Sequence, residues 1–162
     1  LFTTLHSCHT SKNAGNNHIR QIATAAKRLD MSIDYADNHA LFIESAQWLG
    51  VPYRGGGRSK RGVDCSGLTK CIYKNVYDIE LSPSSQLQLD RDINRRVRKK
   101  HLKQGDLVFF SERKSARRIS HVGIYLKDGK FLHASSKRGV RIDYLDDQYW
   151  RRRWIIGGRI LK

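Results

Sequence analysis

Apolar positions recur at helical spacing in the first half of the chain and at strand spacing in the second. Ile22, Ala26 and Leu29 repeat within the stretch from about Ile19 to Leu29; Leu41, Ser45, Trp48 and Leu49 do so before Gly50, which stops the turn. Two helices are therefore predicted ahead of a loop made of Val51-Pro52-Tyr53 and of Gly55, Gly56 and Gly57. A third helix is predicted from Cys65 to about Tyr77, with Leu68, Ile72 and Val76 on its buried face and Asp64 where an N-cap belongs. Ser82-Pro83-Ser84 opens a further short helix through Leu89. The period then changes. Asp106 to Phe110, His121 to Leu126, Lys130 to Ala134 and Val140 to Tyr144 are short, rich in β-branched and aromatic residues, and separated by turn signals. They predict an antiparallel sheet, which Ile155 to Ile160 is placed to close. No internal repeat is visible, and helices ahead of strands predict an α+β fold rather than a Rossmann-type alternation.

The chain has 162 residues, the length of one domain plus a tail. Residues 1–37 form the tail, with Ser11 to Asn17 expected to be a flexible linker, and 38–162 the domain. A hydrophobic content of 39% excludes a disordered polymer, and no apolar run approaches the ~20 residues of a membrane span. Charge adds a second feature: 31 basic against 15 acidic residues give +16. Arg91 to Lys103 alone carries seven basic residues against Asp92. Such clustering fits an anionic partner, whether nucleic acid, a lipid surface or an acidic wall polymer, or simply solvated faces. The basic runs lack interleaved aromatics or a helix-turn-helix, so no specific nucleic-acid recognition is expected.

Three cysteines, Cys8, Cys65 and Cys71, cannot all pair, and they have no zinc-ligand spacing, so neither metal nor cofactor is expected. Cys65 and Cys71 would point from one helix in directions too divergent for a bridge, leaving Cys71 as a small core residue. Leu5-His6-Ser7-Cys8 is similar to the end of a bacterial lipoprotein signal with Cys8 as the lipidated residue; a cloning boundary explains the same letters. Cys65 differs from the other two because it opens a helix. Unpaired N–H groups and the helix dipole there favour the thiolate, the nucleophilic form of cysteine.

A thiolate nucleophile needs an imidazole to take and return its proton, and that ring needs an orienting group. His121 and His133 are the candidates, and the hairpin between them supplies a geometric test. A three-residue Lys127-Asp128-Gly129 loop with Gly129 left-handed sets Leu126 against Lys130 and His133 against Gly123, so that both rings share a face. A two-residue Asp128-Gly129 loop would throw them onto opposite faces.

Taken together, Leu49-Gly50-Val51-Pro52-Tyr53, Asp64-Cys65-Ser66-Gly67-Leu68, Gly105-Asp106-Leu107-Val108-Phe109-Phe110, His121-Val122-Gly123-Ile124-Tyr125 and His133-Ala134 resemble the NlpC family of papain-like bacterial cell-wall cysteine peptidases, over roughly residues 41–162. The resemblance implies a papain-like α+β core in which the nucleophile helix packs against an antiparallel β-sheet that bears the histidines. It also implies hydrolysis of an amide bond in peptidoglycan stem peptides, between D-glutamate and diaminopimelate or nearby, by a monomer in the cell envelope. Cys65 matches the nucleophile, His121 the base and His133 the orienting residue. Tyr53 matches an oxyanion-side tyrosine, Asp64 and Ser66 match contacts to the stem peptide's free amine, and Ser120 matches a pocket residue. Gln104 stands where proline is common before the Gly-Asp pair. The rival expectation is a catalytically silent binder of cell wall or another anionic polymer.

Overall fold

The computed structural model describes residues 9–112 and 118–161; Cys8 and the lipoprotein-like run before it lie outside them. Helix α1 (His9–Leu29) is followed by α2 (His39–Trp48), a two-stranded ribbon of β1 (Arg58–Ser59) and β2 (Gly62–Val63), and α3 (Cys65–Tyr77). A short α4 (Ser85–Leu87) runs into a π-type turn at Gln88–Asp92. Then come β3 (Arg95–Val97), β4 (Leu107–Phe110), β5 (His121–Tyr125), β6 (Lys130–Ser135), β7 (Gly139–Tyr144), α5 (Gln148–Arg153) and β8 (Trp154–Arg159). All strands from β3 onward form one antiparallel sheet in the order β3-β8-β4-β5-β6-β7.

The sheet is covered on both faces, and β4 shows how the sequence encodes this. Leu107 and Phe109 join the larger core formed with the helices, where Leu41, Phe42, Leu68 and Ile72 are fully buried. Val108 and Phe110 point the other way, into a smaller cluster with Phe131, Leu145 and Trp150 of α5. A strand buried on both faces reads as an uninterrupted apolar run, which is what Leu107-Val108-Phe109-Phe110 is.

Several expectations are revised. The segment Ser11 to Asn17, expected to be a flexible linker, lies within α1. It contains no proline, and once Ala25 and Leu29 anchor the C-terminal turns in the core the helix extends backward at little further cost. Ala25 is buried, whereas Ile22 and Ala26 are only half-buried. The expected strand at Ile155 to Ile160 is present but central, pairing with both β3 and β4. The β3 strand inside the basic stretch, the β1–β2 ribbon that follows the expected loop, and α5 were not foreseen. Cys65 and Cys71 are both free, and Cys71 is half-buried at the core margin, its thiol donating to the Arg58 carbonyl at 3.5 Å.

Candidate active site

Cys65 opens α3. Asp64 caps the helix, Oδ1 accepting from the Gly67 N–H at 2.6 Å, and its other oxygen accepts from the Gly56 N–H at 2.7 Å. One carboxylate thus fastens the glycine loop to the helix that carries the thiol. Gly67 permits the approach, since a Cβ there would collide with the Gly57 carbonyl oxygen. Tyr53 is held nearby by backbone alone. Gly50 N–H donates to Val140 O at 2.9 Å and Val140 N–H to Val51 O at 2.8 Å, so this loop covers the exposed edge of β7. A bridge between Tyr53 and Val63 ties it to the residue before Asp64.

The histidines arrive on the sheet. Tyr125 pairs with Phe131 and Ile124 with Leu132, and the Leu126 N–H donates to Lys130 O at 3.0 Å. The loop is the three-residue one, with Gly129 left-handed at φ 75° and Asp128 as well at φ 53°. Continuing this register sets His133 against Gly123. A Cβ on Gly123 would lie 2.8 Å from Leu132 O, closer than atoms tolerate, and a tight 3.2 Å from the His133 Cβ, so glycine is what lets the two strands bring the rings together. His121 Nε2 is 3.0 Å from His133 Nδ1, the rings nearly perpendicular.

The polar chain continues past His133. Its Nε2 lies 3.0 Å from Asp143 Oδ2 on β7; that oxygen also accepts from Trp150 Nε1 at 3.0 Å, and Oδ1 pairs with Arg141 at 2.6 Å. Trp150 stacks on His121 at 25° between planes and meets His133 edge-on. The aromatic cluster beneath the sheet is therefore also the floor of the histidine pair.

A cleft of about 950 Å³ opens above these groups, lined by Tyr53, Cys65, Ser120, His121, His133 and Trp150 among others. Five of the seven expected site residues meet there. Asp64 and Ser66 do not line it; Ser66 is buried, donating to Asp64 and to the Pro83 carbonyl, each at 3.1 Å. Among the described residues no cluster of His, Cys, Asp and Glu could hold a metal ion.

Burial favours the neutral forms of the cysteine and the two histidines. Burial pushes the Cys65 thiol up, helped by Asp64 and resisted by backbone N–H groups of Val122, Ser66 and Cys65 itself. Burial pulls His121 down to about 3, and the neighbouring His133 adds to this. His133 is also lowered, burial outweighing its bond to Asp143. Burial and the adjacent Cys65 raise the Tyr53 hydroxyl, keeping it a hydrogen-bond donor. The expected lowering of the thiol by the helix start is thus outweighed by burial.

A cysteine at a helix start that shares a cleft with strand-borne histidines, in an α+β frame, is the papain-like arrangement. Residues 50–159 match the family model for the NlpC/P60 family, and the chain belongs to that family. It is 42% identical over 115 residues to the probable endopeptidase NlpC homolog of Haemophilus influenzae, covering 71% of this chain and 58% of that relative. To the murein DD-endopeptidase MepS/murein LD-carboxypeptidase of Escherichia coli it is 32% identical over 167 residues, covering 97% and 86%. Among solved structures, an NlpC/P60 family protein from Bacillus cereus superposes with a TM-score of 0.71 at 31% identity, over 81% of this chain and 42% of that one.

Asp143, Trp150 and Arg141 were not singled out as site residues from the sequence. The signal was present: extending the register argument by one hairpin places Arg141 beside His133 and Asp143 beside Phe131, as observed.

Proposed function

We propose that this protein is a cysteine endopeptidase that hydrolyses an amide bond in peptidoglycan stem peptides, acting in the cell envelope. The observation that carries the reading is the convergence of Cys65, at the start of α3, with the His121–His133 pair in one open cleft. The murein endopeptidase name of the Escherichia coli relative supports the substrate class.

In the mechanism, Cys65 Sγ attacks the carbonyl carbon while its proton passes to His121. The oxyanion is held by the Cys65 N–H and the Tyr53 hydroxyl, donors whose individual removal commonly costs about 3 kcal/mol of barrier. The His121 imidazolium then protonates the departing amine, leaving a thioester on Cys65. Water gives a proton to His121, attacks the thioester, and the sulfur leaves to recover that proton. His133 holds the His121 ring throughout. Ser120 lines the cleft for substrate, whereas Asp64 and Ser66, which lie outside it, hold the glycine loop and the start of α3 in place.

The test is mass spectrometry of purified muropeptides before and after incubation. Wild type is expected to release stem-peptide fragments, with the masses naming the bond, and Cys65→Ala to release none. Cleavage undiminished in Cys65→Ala would refute the mechanism; binding without cleavage by wild type would establish a silent wall-binding protein instead.

A further inference from the structure

We propose that Asp143 is a positioning residue that sets the tautomers of both histidines and so leaves the right nitrogen of His121 free to take the thiol proton. This rests on Cys65 being the nucleophile, and it assigns to β7 a part in the reaction that neither motif histidine reveals.

The argument follows from which groups can only donate. Asp143 Oδ2 receives the Trp150 indole N–H at 3.0 Å, and Oδ1 receives the Arg141 guanidinium at 2.6 Å. Neither an indole nor a guanidinium can accept, so both oxygens are held as acceptors. His133 Nε2, 3.0 Å from the same Oδ2, must therefore carry a hydrogen. A neutral imidazole has one N–H, so His133 Nδ1 bears a lone pair. That lone pair faces His121 Nε2 at 3.0 Å, which must in turn donate. His121 Nδ1 is left unprotonated, the only ring nitrogen of the pair able to act as base.

Without Asp143 the order can reverse. His133 carrying hydrogen on Nδ1 would drive His121 to carry its own on the nitrogen that should face the thiol, and the base would be lost with both rings in place. Two features make the setting firm. Burial keeps both imidazoles neutral, so each has a tautomer to set. Burial alone would raise the Asp143 carboxyl, but the hydrogen bonds from His133 and Trp150 hold it below the usual carboxylate range, so it stays an acceptor.

The experiment records ring ¹⁵N resonances of His121 and His133 in wild type, Asp143→Ala and Asp143→Asn, with steady-state cleavage of a muropeptide and thermal melts on each. Wild type is expected to show both rings protonated on Nε2 alone. Either variant is expected to show mixed tautomers and a kcat lower by on the order of 10²-fold, with KM within about threefold, the signature of a lost orienting group rather than lost binding. Asparagine keeps the shape of the site should alanine fail to fold, and in either amide orientation it sets a donor against Trp150 or Arg141. Folded variants with wild-type tautomers and kcat within about twofold would overturn the proposal while leaving Cys65→Ala inactive. If Cys65→Ala were active, the nucleophile assignment would fall separately, and the ¹⁵N spectra would still decide what Asp143 does to the rings.

Discussion

Gly123→Ala should damage stability and catalysis together, because one methyl group enters the space that brings the histidines together. A Cβ at Gly123 would lie 2.7 Å from the Phe131 ring, 2.8 Å from Leu132 O and 3.2 Å from the His133 Cβ. The backbone oxygen cannot rotate away, and Phe131 is fully buried between Phe110 and Trp150. The β5–β6 pair must therefore spread. Overpacking of this kind costs about 1–3 kcal/mol. For a domain of this size that is roughly 2–12 °C in melting temperature, from about 2–4 °C per kcal/mol. The same spreading lengthens the 3.0 Å contact between His121 and His133. Misplacement of a catalytic group by about 1 Å can cost on the order of 10²-fold in rate. Thermal denaturation and muropeptide turnover on one preparation check both. A melting temperature within 1 °C of wild type, with at least half its turnover, requires that the strands hold a methyl group between them; the register argument built on Gly123 would then be wrong, the 1 °C margin being about a quarter to half the shift of one kcal/mol.

Other outcomes follow from the same geometry. Arg159→Ala strands Asp106, 2% exposed, which Arg159 contacts through both oxygens at 2.7 and 2.6 Å; leaving that charge unpaired should cost about 3–5 kcal/mol in urea unfolding, and a loss under 1 kcal/mol would contradict it. Trp150→Phe keeps the ring against His121 and His133 but removes the hydrogen bond to a carboxylate, for an expected loss of about 1.5–3 kcal/mol by the same assay. Acid should destabilise the fold. His121 and His133 have folded values below the unfolded one, so below about pH 6.5 the unfolded chain binds more protons, and stability falls as pH falls, by up to about 1.4 kcal/mol per pH unit for each group. Replacing His133 by Gln should flatten that slope in denaturant titrations at a series of pH values; an unchanged slope would contradict it.

How much of this was legible in the sequence depends on how local each signal is. The three-residue turn and the glycine opposite His133 were readable because a left-handed glycine and a period of two act within about a dozen residues. The α3 start was readable because Asp64 and Gly67 sit beside Cys65. What escaped was assembled from far apart. Strand β3 contains one inward apolar residue, Val97, between arginines, and it is a strand only because β8 pairs with it. Trp150 packs in the smaller core cluster, and its indole N–H reaches a carboxylate on β7 that no local pattern links to it. The first half of the tail's helix escaped because polar residues in Ser11 to Asn17 carry no amphipathic signal of their own; its anchor lies further along, at Ala25 and Leu29.

The preference for neutral forms reshapes how the nucleophile works. The helix start was expected to hold a thiolate, yet burial raises Cys65 and lowers His121, which favours the proton on sulfur. Among the described residues, a thiolate beside neutral imidazole would be stabilised by N–H groups of Val122, Ser66 and Cys65, with Asp64 opposing it. Under the proposed mechanism ionisation and attack therefore occur together, the charge passing at once to the oxyanion. A neutral thiol should also react slowly with electrophiles in the absence of substrate. Alkylation by iodoacetamide, measured in a Cys8→Ser/Cys71→Ser background, tests this directly. The rate should climb through the alkaline range, as for an unactivated thiol above its usual ionisation near pH 8.5. A plateau from about pH 5 to 8, the mark of a thiolate held by imidazolium, would show that the pair is ionised before substrate binds and that burial does not decide its charge.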